Sequence, residues 1–143
     1  MPDYVRKALD RLQHLKPKRP QYAPHCWSFP AYGKILQMAP DPYKRDILGK
    51  KSTNIIQYIV DTILYFARSV YPTMLRAINK ILQLQSWPTQ DTEEKAKMSL
   101  DYAAMYPNEI LSYKSSDVLL HVDSDAAYLT MPKARSYYAG HFI

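Results

Sequence analysis

The stretch Leu119-Leu120-His121-Val122-Asp123-Ser124-Asp125-Ala126-Ala127-Tyr128-Leu129 decides how the chain is read. Apolar and polar residues alternate up to Asp123, as on a half-buried β-strand. On a strand, residues two apart share a face, so His121, Asp123 and Asp125 are expected on one side and Leu120, Val122 and Ser124 on the other. A carboxylate is costly to bury unless it is paired or bound to a cation. The two acids therefore mark either a solvated strand end or a metal site. Working outward, Ile110, Leu111 and Tyr113 read as a preceding strand, with a turn at Ser115-Ser116-Asp117. Tyr137 to Ile143 reads as a following one. Short turns between consecutive strands imply an antiparallel meander, which needs a covering layer to be stable.

That layer is helical. Pro72 opens PTMLRAINKILQLQ after Thr53–Val70, TNIIQYIVDTILYFARSV, and two apolar helices with a proline joint read as an αα-hairpin. Asp91-Thr92-Glu93-Glu94 reads as the capped start of a further helix that runs to Met105 with Ala96, Leu100, Ala103 and Ala104 inward. At the amino end, Val5, Ala8, Leu9 and Leu12 make an amphipathic stripe over Met1–Leu15. Between these lies a strap from Lys16 to Pro42, broken by prolines at 17, 20, 24, 30, 40 and 42, whose aromatic residues suit a path across a surface. The expected fold is α+β, mainly helical with about four helices and a small C-terminal antiparallel β-meander. Its divisions are 1–52 (helix and basic strap), 53–108 (helical region) and 109–143 (β region).

Charge is uneven. Met1 to Lys50 holds ten Lys/Arg against four Asp/Glu, and Lys51 to Ile143 holds nine of each, so the whole net charge of +6 lies in the first third. Such a segment suits a phosphate backbone, and equally suits a solvated linker. Arg6, Lys7, Arg11, Lys16, Lys18 and Arg19 are the candidate nucleic-acid contacts. The single cysteine, Cys26, excludes an intramolecular disulfide and fits a reducing compartment. With no secretory signal pattern and no apolar run long enough for a bilayer, the expectation is an intracellular protein, cytoplasmic or nuclear, not secreted and without a membrane partner.

Four segments in order resemble a family: MPDYVRKAL, IIQYIVDTILYFARSVYPTMLRAINKI, KAKMSLDYAAMYPNEILSYKSSDVLLHVDSDAAYL and KARSYYAGHF. They look like the part of copia-type LTR-retrotransposon polyproteins that joins the reverse transcriptase thumb and connection to the start of RNase H. The resemblance implies that Asp125 stands where the first RNase H carboxylate would be, with Asp123 as a possible assistant on the same face. In that family four carboxylates hold two Mg²⁺ ions that activate water and stabilise the leaving oxygen. The other RNase H carboxylates and the polymerase carboxylates are expected outside this stretch. It would then be a polyprotein fragment, catalytically inactive alone, without a cofactor of its own, and contacting an RNA/DNA hybrid through phosphates. Asp61 stands where the family normally has glycine, and Tyr71 where an acid usually precedes the proline. A small helical interaction module is the competing expectation. An independent nuclease using His121, Asp123 and Asp125 is a third, with Asp101 and Glu109 as the acids that other elements could add.

Overall fold

The computed structural model describes residues 3–26, 46–108, 112, 122–131 and 135–142. The chain divides into two compact units, Met1–Trp27 with Arg45–Leu111, and Ser28–Lys44 with Ser112–Ile143.

The first unit is built from α1 (Tyr4–Arg11), α2 (Lys50–Ser69), a 3₁₀ turn (Pro72–Met74), α3 (Leu75–Leu82) and α4 (Gln90–Met105). α2 is the hub. Its buried stripe is Ile56, Ile59, Val60, Ile63, Phe66 and Ala67, spaced three and four apart as one helix face requires. α3 adds Ala77, Ile78 and Ile81. α4 adds Ala96, Leu100, Ala103 and Ala104, and α1 adds Val5, Ala8 and Leu9. Asp61 lies outside this stripe and is exposed, so its charge carries no burial cost.

Tyr71 locks the joint. It is buried, meets Phe66 edge-on at 5.8 Å, and donates from its hydroxyl to Tyr102 Oη at 2.9 Å. Pro72 then opens the 3₁₀ turn, where its missing N–H is no loss. Leu48 N–H donates to Pro88 O at 2.8 Å, which ties the start of α2 to the loop before α4. Thr89, not Asp91, caps α4. Its backbone N–H donates to Thr92 Oγ1 at 3.2 Å, and Thr92 is fully buried. The boxed pair is Thr–Thr, so a search for an acid at the third position starts the helix two residues late.

α1 stops at Arg11 although the apolar stripe runs on. His14 N–H donates to Leu9 O at 2.9 Å and Gln13 N–H to Asp10 O at 3.0 Å. These two bonds are a Schellman ending, with Gln13 left-handed at φ 53°. No glycine is available there, so a side chain accepts the strain.

The expected α+β fold with a C-terminal meander is overturned. Every buried residue among those described belongs to the helices, their joints or their caps. In the second unit the described strands are β1 (Val122–Met131) and β2 (Arg135–Phe142), which form a two-stranded antiparallel ribbon. Its register sets Asp123 opposite His141 and Asp125 opposite Ala139. Val122, Ser124 and Ala126 are all exposed, so the face opposite Asp123 and Asp125 is not a core face. A lone ribbon buries too little to count as a sheet layer, so no meander is shown among the described residues. Ile110, Leu111, Tyr113 and the turn at 115–117 lie outside the described residues.

Gln13→Gly removes the left-handed strain, about 1–2 kcal/mol, against roughly 0.5–1 kcal/mol of added chain entropy. The expected outcome is a melting temperature higher by about 2–4 °C in a thermal unfolding scan; a lower one would disprove the Schellman assignment.

Candidate nucleic-acid interface

With Val5, Ala8 and Leu9 turned inward, α1 has one outer stripe of Tyr4, Lys7 and Arg11, spaced three and four apart. Arg6 lies to its side and pairs with Asp3 at 3.2 Å, an exposed contact of little energetic weight. All six candidate cations, Arg6, Lys7, Arg11, Lys16, Lys18 and Arg19, are exposed. Among the described residues, no carboxylate pairs with Lys7, Arg11, Lys16, Lys18 or Arg19.

The strap that carries Lys16, Lys18 and Arg19 is anchored along α4. His14 Nε2 lies 2.7 Å from Asp101 Oδ1, with the two side chains 13% and 21% exposed. An ionised carboxylate only accepts, so the imidazole is the donor. Farther on, Ser99, fully buried, donates to Pro24 O at 3.0 Å, and Cys26 Sγ lies 3.5 Å from Met98 Sδ. The Schellman turn at Gln13 aims the chain at α4, His14 fastens it, and the basic segment is held between two anchors.

Two depressions flank this segment. A groove of about 360 Å³ between α1 and the end of α4 is lined by Arg6 and Lys16 but also by Asp3 and Asp10. Both signs meet there, so it is not an anion pocket. A second hollow of about 210 Å³ is mainly aliphatic, with Leu12, Ile55, Ile59 and Leu100. The positive character lies outside both, along Lys7, Arg11, Lys18 and Arg19.

Two features of this unit have no signal in the sequence pattern. Arg76, Lys80 and Lys95 come together across α3 and α4. Burial first, then the charges of Arg76 and Lys95, hold the Lys80 ammonium below its ordinary pKa. Tyr58 and Tyr65, 43% and 56% exposed, lie on α2 beside Tyr4. Burial first, then Tyr65 and Tyr58, raise the Tyr4 phenol, and Arg11 partly offsets this. The phenol is thus neutral at pH 7 and donates to Thr62 O at 3.1 Å.

The expected carboxylate site falls outside the described residues. Among the described residues, no group of three or more His, Cys, Asp or Glu is placed to hold a metal ion. The backbones of Asp123 and Asp125 lie on β1, whereas their side chains, with His121 and Glu109, lie outside the described residues. Asp101 is engaged by His14. No described helix is long and apolar enough to cross a membrane.

No family model matches the chain, and neither a curated protein nor a solved structure matches it.

Two outcomes follow from this geometry. Asp101→Ala leaves the His14 imidazole without its acceptor, at a cost of about 1 kcal/mol. Trypsin should then cut at Lys16, Lys18 and Arg19 about fivefold faster; an unchanged cutting rate would show that the anchor does not hold the strap. The Tyr4 phenol is raised in the folded state, so its share of stability is complete below its unfolded pKa of 10.0 and is lost as pH rises beyond it. Tyr4→Phe should flatten the loss of stability above pH 10 in urea titrations.

Proposed function

We propose that the chain is a segment of a copia-type LTR-retrotransposon polyprotein and that its own contribution is non-catalytic contact with an RNA/DNA hybrid through phosphates. The observation that carries this reading is the run of exposed, carboxylate-free cations Lys7, Arg11, Lys16, Lys18 and Arg19 on α1 and its anchored strap. Cations on a fixed scaffold neutralise phosphates with less loss of chain entropy than cations on a free linker. The family origin rests on the four ordered sequence segments and is a separate claim from the binding.

Asp125, with Asp123, holds in this reading the position of a first RNase H carboxylate. The Mg²⁺ chemistry belongs to the intact parent, and no step here depends on it. The second reading, a helical interaction module, is favoured by one observation, the exposure of Ile55, Tyr58 and Tyr65 along α2.

The decisive measurement is hybrid affinity as a function of salt. Each phosphate neutralised adds about 0.9 to the slope of log K against log salt. Five or six cations acting together should give a slope of about −4.5 to −5.5. Replacing Lys7 and Arg11 by alanine should reduce it by about 2, equally for all sequences. A flat salt dependence would remove the phosphate reading. Separately, the adjoining reading frame should encode polymerase carboxylates on one side and further RNase H acids on the other; unrelated sequence there would remove the family origin.

A further inference from the structure

Phosphate contact does not account for the tyrosines of α2. Tyr58 and Tyr65 are seven residues apart, on one stripe with Thr62 and Ser69. The rise between them is roughly 10 Å, too far for the two rings to cover each other, so each keeps a face toward solvent. Tyr65 does not stand alone. Tyr4 packs against it at 5.9 Å and 49°, and Tyr4 is itself stacked on buried Phe66 at 5.7 Å and 10°. The hydrogen bond from Tyr4 to Thr62 O fixes that ring between α1 and α2. The exposed aromatic surface is therefore backed by the core.

Charge surrounds it on two sides. Lys7 and Arg11 continue the α1 stripe that begins at Tyr4, and Arg68, also exposed, follows Tyr65 by one turn of α2. Asp61 is the one carboxylate on this part of α2. An apolar protein partner would be matched by aliphatic side chains and few charges. Here the rings carry hydroxyls and are bordered by cations, a combination that fits unpaired bases with their phosphates.

We infer that Tyr58 and Tyr65, the latter backed by Tyr4, and bordered by Lys7, Arg11 and Arg68, form a stacking platform for single-stranded nucleic acid. The inference rests on the phosphate reading above and gives it a substrate class: the unpaired strand at the end of a hybrid. Stacking on a tyrosine face tolerates any base, so the platform carries no sequence preference.

The test compares a fluorescent single-stranded oligothymidylate with a blunt RNA/DNA hybrid on the full chain, at one low salt concentration. Tyr58→Ala and Tyr65→Ala remove exposed rings, and circular dichroism checks that each variant folds. Each should weaken single-strand binding by about 5- to 100-fold, leave hybrid binding unchanged, and be rescued by Tyr→Phe. Lys7→Ala with Arg11→Ala should weaken both ligands. Unchanged single-strand affinity in the tyrosine variants would overturn the platform and leave the phosphate contacts standing. Binding of neither ligand by the wild-type chain would overturn both. Self-association that Tyr65→Ala abolishes, with no effect on oligonucleotide binding, would assign the patch to a second copy of the chain and also overturn the platform.

Discussion

The burial of Phe66 is the constraint on which the helical unit depends. The ring is 2% exposed and is covered from two directions by residues distant in sequence. Tyr4 of α1 stacks on it nearly parallel, and Tyr71 meets it at 82°. Both arrangements suit the quadrupole of an aromatic ring. Tyr71 in turn stacks on Tyr102 at 5.9 Å, and Tyr102 lies 5.0 Å from Tyr106. One line of rings thus ties α1, the end of α2, the proline joint and α4 together. This explains why Tyr71 can stand where the resembled family places an acid. The phenol at this site sets its ring edge-on against Phe66 and donates its hydroxyl to Tyr102 Oη.

The helices of this unit were readable because burial and periodicity agree in them. The stripes of α2, α3 and α4 run on three-and-four spacing with no interruption, and the inward alanines of α4 are those the spacing selects. Their ends were less readable, for reasons of local chemistry. α2 begins at Lys50, ahead of Thr53, because Gly49 is extended and the Leu48 N–H is satisfied by Pro88, a contact made across 40 residues. α1 ends early through a left-handed glutamine, a position that pattern reading reserves for glycine or asparagine. The cap of α4 uses two threonines. In each case the deciding bond involves the backbone or a residue type without a strong positional signature.

The reading failed most clearly where it began. Leu120 to Asp123 alternates apolar and polar residues as a half-buried strand does, but alternation states which residues share a face and not whether anything covers that face. Val122 at 54% exposure shows that the cover is absent from that side of the ribbon. The carboxylates of Asp123 and Asp125 drew attention because a buried strand with two acids needs a cation. The exposed face is the one that carries Val122, Ser124 and Ala126; the side chains of Asp123 and Asp125 lie outside the described residues. The candidate interface was half legible. The six cations could be counted from the sequence, and their uneven distribution was plain. What makes five of them a surface, the lack of carboxylate partners and the anchoring of the strap through His14, Pro24 and Cys26, depends on contacts with α4 more than seventy residues away.

The same contacts separate stability from recognition. α1 is held by three apolar side chains, Val5, Ala8 and Leu9, and by Tyr4 on Phe66. None of these interactions involves a charge. The cations of the stripe and strap therefore have no role in the core, and their mutual repulsion is a small cost borne at the surface, where water and salt screen it. A chain under selection for stability alone would gain from carboxylates among them, as Asp91 and Lys95 illustrate on α4. Among the described residues of α1 and the strap, the Lys/Arg–carboxylate pair is Arg6 with Asp3. In the proposed reading, cations that pair with no carboxylate among the described residues, next to aromatic rings fixed from beneath, suit a ligand that supplies both negative charge and flat apolar faces. Nucleic acid has that combination, and the helical core can carry it without any change in its own packing.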